Sequence, residues 1–243
     1  MTYRPQEFWE QRLSEQFDLR GTGETTMSAA YNVACYQLRA EVLDAALARV
    51  GVDPRAKRVL DVGCGTGFWT DYYVKRGAVY TGLDIARPSV ERLRERYPNQ
   101  AFVHSDVSEA DLTATYQIVN VFDVLYHITD DAKFDAALGR LARAVEPGGY
   151  LLLTDLFQDS PGLAEHNKMR SLARYRRTLD ALGVRFEYEP LEPTHVLLNS
   201  DLGFWRFLNR APGLLLALDR MLIRNGGGRT PRHNQLLIAK RTA

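Results

Sequence analysis

The sequence predicts an α/β fold in which helices cover both faces of a doubly wound, mostly parallel sheet. Three observations predict it. Residues 57–189 alternate short apolar runs with amphipathic stretches, turns rich in glycine and proline separate them, and 243 residues are enough for one large domain with additions. We expect a helical cover over residues 1–56, the sheet-containing domain over residues 57–243, and a helical insertion at about 190–233, before the last strand.

The apolar runs and amphipathic stretches predict the elements in order along the chain. The predicted strands are Arg58–Val62, Val79–Asp84, Ala101–Ser105, Gln117–Val121, Tyr150–Thr154, Val184–Glu189 and Gln235–Lys240. The predicted helices are Glu7–Phe17, Ala29–Val50, Phe68–Arg76, Pro88–Tyr97, Asp130–Val145 and Lys168–Leu182. The proline and glycines of Glu146–Gly149 predict a turn that ends one helix before the next strand begins.

Charge and cysteine content narrow the functional classes. The 31 basic and 30 acidic residues nearly balance, so no nucleic-acid partner is expected. The two cysteines, Cys35 and Cys64, are too few for a disulfide framework, which favours a reducing compartment. The N-terminus lacks the apolar stretch of a signal peptide, and the aliphatic run 214–218 is far shorter than the roughly 20 residues of a transmembrane helix. We therefore expect a cytoplasmic protein without a transmembrane segment.

A glycine loop follows the first predicted strand. Residues 59–67 place Gly63, Gly65 and Gly67 at alternate positions, with Asp61 just ahead of them. Glycine permits a tight strand-to-helix turn, and the helix start after it offers unpaired N–H groups to a ligand. The spacing lacks the two-residue gap of the dinucleotide fingerprint, and no Gly-Lys-Ser/Thr follows as in a phosphate-binding loop.

Acidic residues end the next two predicted strands. Asp84 ends the second strand, where a carboxylate can accept both hydroxyl protons of an unphosphorylated ribose. Asp106 follows the third strand, where it can accept from an adenine amino group or serve as a turn residue or helix N-cap. Together with the glycine loop, these residues predict an adenosine-containing ligand at the carboxyl ends of the strands.

Several segments resemble those of class I S-adenosylmethionine-dependent methyltransferases. They are Val59–Gly67, Gly82–Ile85, Ser105–Val107, Phe122–Ile128 and Leu141–Thr154. The resemblance covers roughly residues 57–189 and the last strand. It implies a seven-stranded sheet in the order 3-2-1-4-5-7-6, with the seventh strand antiparallel, and makes residues 57–243 the methyltransferase domain.

The resemblance also implies binding residues for S-adenosylmethionine, which leaves as S-adenosylhomocysteine. They are Asp61, Gly63, Gly65, Gly67, Asp84, Ile85, Asp106, Val107, Phe122, Tyr31 and Arg39. Asp61 and Gly63 are expected at the methionine amino group, Asp84 at the ribose and Asp106 at the adenine. Arg39 lies in the N-terminal helical region, where it is either a partner for the methionine carboxylate or a solvated helix residue.

The segment after the fourth strand carries His127, the predicted catalytic base. A neutral imidazole can take a proton from a hydroxyl at pH 7, although a structural histidine that orients the loop is equally consistent with the sequence. Asp123 and Asp155 end the fourth and fifth strands, where catechol-type methyltransferases hold magnesium beside an amide. Leu156 stands at that amide position, so no metal is expected.

We expect methyl transfer to an oxygen or nitrogen of a small-molecule acceptor, with carbon and sulfur less favoured. The sequence lacks the Asp/Asn-Pro-Pro-Tyr/Phe segment of base and glutamine N-methyltransferases and the Pro-Cys pair of cytosine methylation. A protein or RNA acceptor and a non-catalytic S-adenosylmethionine-binding module stay open as alternatives. The apolar, basic stretch 204–224 is interpreted as core, a lid, a homodimer surface or a contact with an anionic membrane.

Overall fold

A mixed eight-stranded sheet organises the part of the chain that the structure describes. A computed structural model describes residues 3–160, 165–200, 203–228 and 233–242, apart from the side chains of Phe204 and Trp205. The strands are β1 (Arg58–Val62), β2 (Val79–Asp84), β3 (Ala101–His104), β4 (Tyr116–Phe122), β5 (Val145–Asp155), β6 (Phe186–Tyr188), β7 (Glu192–Pro193) and β8 (Gln235–Arg241).

Helices precede the sheet and connect its strands. They are α1 (Pro5–Glu15), α2 (Leu19–Thr22), α3 (Ala29–Arg49), α4 (Phe68–Lys75), α5 (Arg87–Arg96), α6 (Asp131–Ala144), α7 (Leu172–Ala181) and α8 (Pro212–Arg224). Two 3-10 segments, Leu125–His127 and Gly203–Arg210, complete the regular structure within the described ranges. None of the helices in these ranges combines the length and the apolarity that crossing a membrane requires.

The strand order is β3-β2-β1-β4-β5-β8-β6, with β7 paired to β8 outside that path. The pairs among β1 to β5 are parallel, whereas β8 runs antiparallel to β5, β6 and β7. This confirms the predicted order with an antiparallel last strand. The additional strand β7 has only two residues, too few for an apolar periodicity that the sequence could reveal.

The turn predicted at Glu146–Gly149 is instead a bulge inside β5. Val145 already pairs with Tyr116 of β4, and the next paired residue is Tyr150, opposite Ile118. The intervening residues therefore leave the ladder and return to it, which is the behaviour of a β-bulge. The expected strand start at Tyr150 is wrong because proline and glycine end the helix here without ending the strand pairing.

Both faces of the sheet are buried, as the doubly wound prediction requires. One core contains Phe134 and Tyr175 from α6 and α7, whose rings meet edge to face at 5.1 Å. The opposite core contains Leu43, Tyr73 and Leu93 from α3, α4 and α5. Burial on both faces explains why the central strands read as nearly continuous apolar runs.

The N-terminal helices and the segment before β8 pack against each other. Tyr31 and Leu38 of α3 share a buried cluster with Leu215 of α8. Nearby, Arg220 donates to both oxygens of Glu41, with distances of 2.8 and 2.5 Å. The insertion expected at about 190–233 thus contains β7, a 3-10 segment and α8. The expected domain limits stay a prediction, and residues 201–202 and 229–232 of the insertion lie outside the described residues.

Gly67 offers a test of the packing behind the glycine loop. Its φ is +87°, and a Cβ atom here would lie 2.5 Å from Leu93 Cδ2. We expect Gly67→Ala to lower the free energy of unfolding by about 2–4 kcal/mol through backbone strain and overpacking. Gly51→Ala is the matched control, because its φ is +69° with no atom within 4 Å of the new Cβ. Urea denaturation of both variants measures the difference, and equal losses would contradict a steric role for Leu93.

Candidate active site

A pocket of about 1750 Å³ opens at the carboxyl ends of the parallel strands. The loops after β1 to β5 form its floor, α1 to α3 cover it, and the segment from β7 to β8 forms a further wall. Small-molecule pockets usually measure roughly 300–1,000 Å³. This pocket is therefore large enough for two ligands side by side.

Asp61 lies beneath the glycine loop and does not line the pocket. Its buried carboxylate accepts hydrogen bonds from Tyr80 Oη of β2 and Asn120 Nδ2 of β4, both at 2.7 Å. Burial raises the pKa of Asp61 to about 6, against the opposing effect of these two donors. The expected contact with a methionine amino group stays a prediction, and in the structure the Asp61 carboxylate ties three central strands together under the loop.

Asp84 lines the pocket and also holds the glycine loop. Its Oδ2 accepts from Gly65 N at 2.7 Å and its Oδ1 from Ala86 N at 2.8 Å. Burial raises its pKa, while the two backbone donors lower it. A carboxylate oxygen can accept a second hydrogen bond, so Asp84 retains the capacity to bind hydroxyl groups at the pocket surface.

Gly63 and Gly65 line the pocket, whereas Gly67 lies behind it. A Cβ at Gly65 would lie 2.7 Å from Cγ2 of Thr22, at the end of α2. The hydroxyls of Thr22 and Thr66 are 3.3 Å apart, so the helical cover rests directly on the loop. The absence of a side chain at Gly65 thus makes room for this chain's own cover, a reason that the sequence did not reveal.

The pocket wall beyond Asp84 combines apolar side chains with the carboxylate of Asp106. Ile85, Val107 and Phe122 line the pocket. Asp106 also lines it, and its Oδ1 accepts from Ser108 N at 2.8 Å. Asp106 is therefore both a turn residue and a pocket residue, so the two interpretations of the sequence are compatible.

Arg39 lines the pocket, but its guanidinium is bound to Asp123. Nη1 lies 2.6 Å from Asp123 Oδ2, and the two side chains are only 13% and 20% exposed. Asp123 Oδ1 also accepts from Thr154 Oγ1 and Asn234 Nδ2, at 3.0 and 2.5 Å. The expected pairing of Arg39 with a methionine carboxylate would require this ion pair to rearrange. Asp123 itself has a φ of +59°, which is uncommon for a residue other than glycine.

Tyr31 and Asp155 both have internal hydrogen-bond partners. Tyr31 lines the pocket, and its Oη accepts from Asn199 N at 2.7 Å; burial raises its pKa to about 12. Asp155 accepts from Tyr175 Oη at 2.5 Å and from Leu156 N at 2.6 Å. Within the described ranges, no group of three or more His, Cys, Asp or Glu side chains has the arrangement of a metal site.

His127 lines the pocket under α1. Its Nδ1 is 3.1 Å from the carbonyl oxygen of His166, and the ring meets Trp9 edge to face at 5.0 Å. A carbonyl can only accept, so Nδ1 carries the proton and Nε2 has a free lone pair. Burial lowers the pKa of His127 to about 4, which leaves the ring neutral at pH 7.

Sequence reasoning missed the wall that contains His195, His233 and Asn234. Four of the chain's five histidines line the pocket, and two of them come from this wall. The residues flank β7 and β8 in the long insertion and match no motif. The sequence offered one signal for this wall, namely that His195 lies beside the apolar run Val196–Leu198. A histidine next to such a run more often indicates core packing than a binding site.

Comparison with known proteins identifies the family. Residues 35–202 match the family model described as "Methyltransferase domain", which is more than half of the chain. The chain belongs to this methyltransferase family. The matching range includes the glycine loop, Asp84, Asp106, Asp123 and His127, and it ends before β8.

Two curated relatives illustrate the likeness of this methyltransferase chain. It is 31% identical to phthiotriol/phenolphthiotriol dimycocerosates methyltransferase 1 of Mycobacterium ulcerans, over 68% of this chain and 64% of that protein. It is also 31% identical to the ubiquinone biosynthesis O-methyltransferase of Vibrio parahaemolyticus, over 41% of this chain and 44% of that protein. The chain thus spans less than two thirds of the length of these relatives.

A solved structure matches nearly the whole methyltransferase chain. Magnesium protoporphyrin IX methyltransferase from Synechocystis PCC 6803, with bound SAM, has a TM-score of 0.63 and 17% identity, covering 99% of this chain and 98% of that one. At this identity the likeness concerns the fold. It confirms the class I methyltransferase architecture that the sequence predicted.

Asp155 provides a pH test of the buried carboxylates. Burial raises its pKa to about 6, although Tyr175 and backbone donors oppose the shift. Because the folded state binds this proton more tightly than the unfolded state does, protonation of Asp155 stabilises the fold. The contribution is complete below the unfolded-state pKa of about 4, and it is lost as the pH rises through the folded-state pKa of about 6. Relative to Asp155→Asn, we expect the wild type to be about 2–3 kcal/mol more stable at pH 4 than at pH 7. Urea unfolding of both proteins measures this, and a difference independent of pH would contradict the assignment.

Proposed function

We propose that this chain transfers a methyl group from S-adenosylmethionine to a protic oxygen or nitrogen of a small molecule. One observation carries the proposal: a single pocket joins the glycine loop, Asp84 and Asp106 to His127, whose Nε2 can accept a proton. Family membership supports methyl transfer. The similarity to the ubiquinone biosynthesis O-methyltransferase supports oxygen as the acceptor atom.

The residues of the pocket fit an adenosine sulfonium better than a phosphorylated cofactor. Asp84 and Asp106 offer acceptors to ribose hydroxyls and an adenine amino group, while Ile85 and Val107 offer an apolar surface to the ring. Residues 59–74, which contain the loop and most of α4, include no lysine or arginine to face a phosphate. When bound, S-adenosylmethionine supplies an electrophilic methyl group; Gly63 and Phe122 are proposed to lie along its methionine side.

The protein's own contribution is positioning, exclusion of water and proton transfer. Thr22 and Tyr31 bring the helical cover onto the loop and the pocket wall, which shields the reacting groups from solvent. The acceptor's O–H or N–H bond breaks and leaves its electron pair on that atom. A lone pair on that atom forms the bond to the methyl carbon as the C–S bond breaks toward sulfur, and the proton goes to His127 Nε2.

The low pKa of His127, about 4, is consistent with a late proton transfer. An oxygen that has begun to bond to the methyl carbon becomes positively charged and strongly acidic. Such an oxygen can protonate a weak base, whereas an unreacted alcohol cannot. His127 is therefore proposed to remove the proton as the new bond forms rather than beforehand.

The cellular compartment and the oligomeric state are also proposals. Both cysteines, Cys35 and Cys64, are free thiols, which supports a reducing compartment such as the cytoplasm. A homodimer through the accessory helices stays a prediction.

The direct test is incubation of the protein with isotope-labelled S-adenosylmethionine and a small-molecule extract, followed by untargeted mass spectrometry. We expect the label in a low-mass product. Label confined to protein or RNA would favour a macromolecular acceptor. Binding of S-adenosylmethionine without any transfer would favour a non-catalytic module.

Asp84→Asn tests the proposed ribose contact. The amide keeps the size of the side chain but replaces one acceptor oxygen with a donor, so we expect S-adenosylmethionine affinity to fall about 10-fold or more. Asp53→Asn is the control, because Asp53 lies away from the pocket and accepts from Arg55 N in an exposed turn. Calorimetry measures both affinities, and equal affinity for the Asp84 variant and wild type would refute the contact.

His127→Asn separates the catalytic role from the structural one. Asparagine can still donate from its amide nitrogen to the His166 carbonyl, but it has no counterpart of Nε2. We expect turnover to fall about 100-fold while the affinity for S-adenosylmethionine stays the same. If His127 only orients the loop, asparagine will preserve turnover and His127→Leu will not.

A further inference from the structure

The wall that sequence reasoning missed contains a second imidazole with a free lone pair. His195 is 5% exposed and lines the pocket, and its Nδ1 lies 3.1 Å from Thr194 Oγ1. The Thr194 hydroxyl donates its proton to the carbonyl oxygen of Asn234 at 2.9 Å. Thr194 Oγ1 can therefore only accept from His195, so Nδ1 carries the proton and Nε2 is a hydrogen-bond acceptor. No residue in the described ranges donates to that Nε2.

The backbone that carries His195 is held from below by α8. The buried carboxylate of Asp219 accepts from three successive backbone N–H groups directly after His195. The donors are Val196, Leu197 and Leu198, at 3.2, 2.7 and 3.0 Å. A turn bound in this way is preorganised, so the imidazole has a defined position before any ligand binds.

Asn234 adds a third acceptor to the same side of the pocket. It is 7% exposed, and its Nδ2 donates to Asp123 Oδ1. Because only the NH₂ end of an amide can donate to a carboxylate, the orientation of this side chain is determined. Its Oδ1 is buried without a hydrogen-bond partner in the described part of the chain. A buried acceptor without a partner is unfavourable until a donor reaches it.

The donors next to these acceptors already have partners. Arg39 and Thr154 both donate to Asp123, as Asn234 Nδ2 does. His127 and His195 both line the pocket, and the charge of Asp123 acts on the pKa of each of them. This side of the pocket therefore offers the nitrogens of His127 and His195 and the oxygen of Asn234 to a ligand that donates.

We infer that the methyl acceptor donates at least two hydrogen bonds in this pocket, one to His127 from the group that is methylated and a second to His195. The acceptor class is thus a compound with a second hydroxyl or N–H group in addition to the reacting one, such as a diol or an amino alcohol. The inference rests on the proposed function and names the substrate class of that site. His195 is a positioning residue that holds the second donor, and Asn234 Oδ1 accepts from the same end of the ligand.

A pair of substitutions at His195 tests this role. His195→Asn can keep the donor to Thr194 but has no acceptor at the Nε2 position, whereas His195→Gln places its amide oxygen near that position. With the acceptor found by mass spectrometry, we expect His195→Asn to raise KM for the acceptor about 10-fold with a smaller change in kcat. We expect His195→Gln to restore KM to within about threefold of wild type. Affinity for S-adenosylmethionine should be unchanged in both.

The outcomes separate the inference from the proposed function. If the wild type transfers methyl groups and His195→Asn has an unchanged acceptor KM, the inference fails while the proposed function stands. Loss of kcat without a KM effect, or equal losses in the Asn and Gln variants, also overturns the positioning role. If the wild type transfers no methyl group, the proposed function fails and the inference fails with it.

A second measurement does not depend on turnover. In protein labelled with ¹⁵N-histidine and loaded with S-adenosylhomocysteine, we expect His195 to carry its proton on Nδ1 and to stay neutral down to about pH 4. Burial, with Arg39 and His233 adding to the effect and Asp123 opposing it, lowers the pKa of His195 to about 3. We expect 1,2-dihydroxybenzene to shift the Nε2 resonance and 1,2-dimethoxybenzene, which has no donor, to leave it unchanged. A proton on Nε2, a titration near pH 6.5 or the same response to both probes overturns the inference.

Discussion

The carboxylate of Asp123 connects the three parts of the chain that surround the pocket. Arg39 reaches it from α3, Thr154 from β5 and Asn234 from the start of β8. A largely buried charge is stable only when it is paired and hydrogen-bonded, so the cover, the sheet and the last strand must all meet at this residue. The unusual φ of Asp123 is maintained by these contacts, and they determine which side chains face this part of the pocket.

Two other carboxylates organise the glycine loop in a similar way. Asp61 joins β1, β2 and β4 from beneath, and Asp84 binds the backbone of Gly65 from the side. The loop is therefore shaped by hydrogen bonds to buried acids as well as by its glycines. Because these bonds form within the protein itself, the loop has a defined shape before any ligand binds.

Local pattern was sufficient for most of the fold. β1 and β2 have the predicted bounds because their apolar runs end at a glycine loop and at Asp84. The sequence failed where pairing decides the structure: the bulge in β5 depends on Tyr116 of the neighbouring strand, and β7 exists only because β8 lies beside it. Helix α7 begins later than predicted, at Leu172, because Ser171 caps it by accepting from Arg174 N.

The glycine loop and the acids at strand ends could be located from the sequence, because each depends on residues close together in the chain. The strand order came from the resemblance to a known family. The hydrogen-bond partners of these residues, by contrast, depend on how the whole chain folds. In the folded chain, Asp61 holds neighbouring strands together through buried hydrogen bonds. Arg39 pairs with Asp123, which lies 84 positions away in the sequence. Folding also brings Asn234 to Asp123 across 111 positions and sets His195 in the wall beside it. Such contacts follow from packing of the whole chain, and no local spacing of residues encodes them.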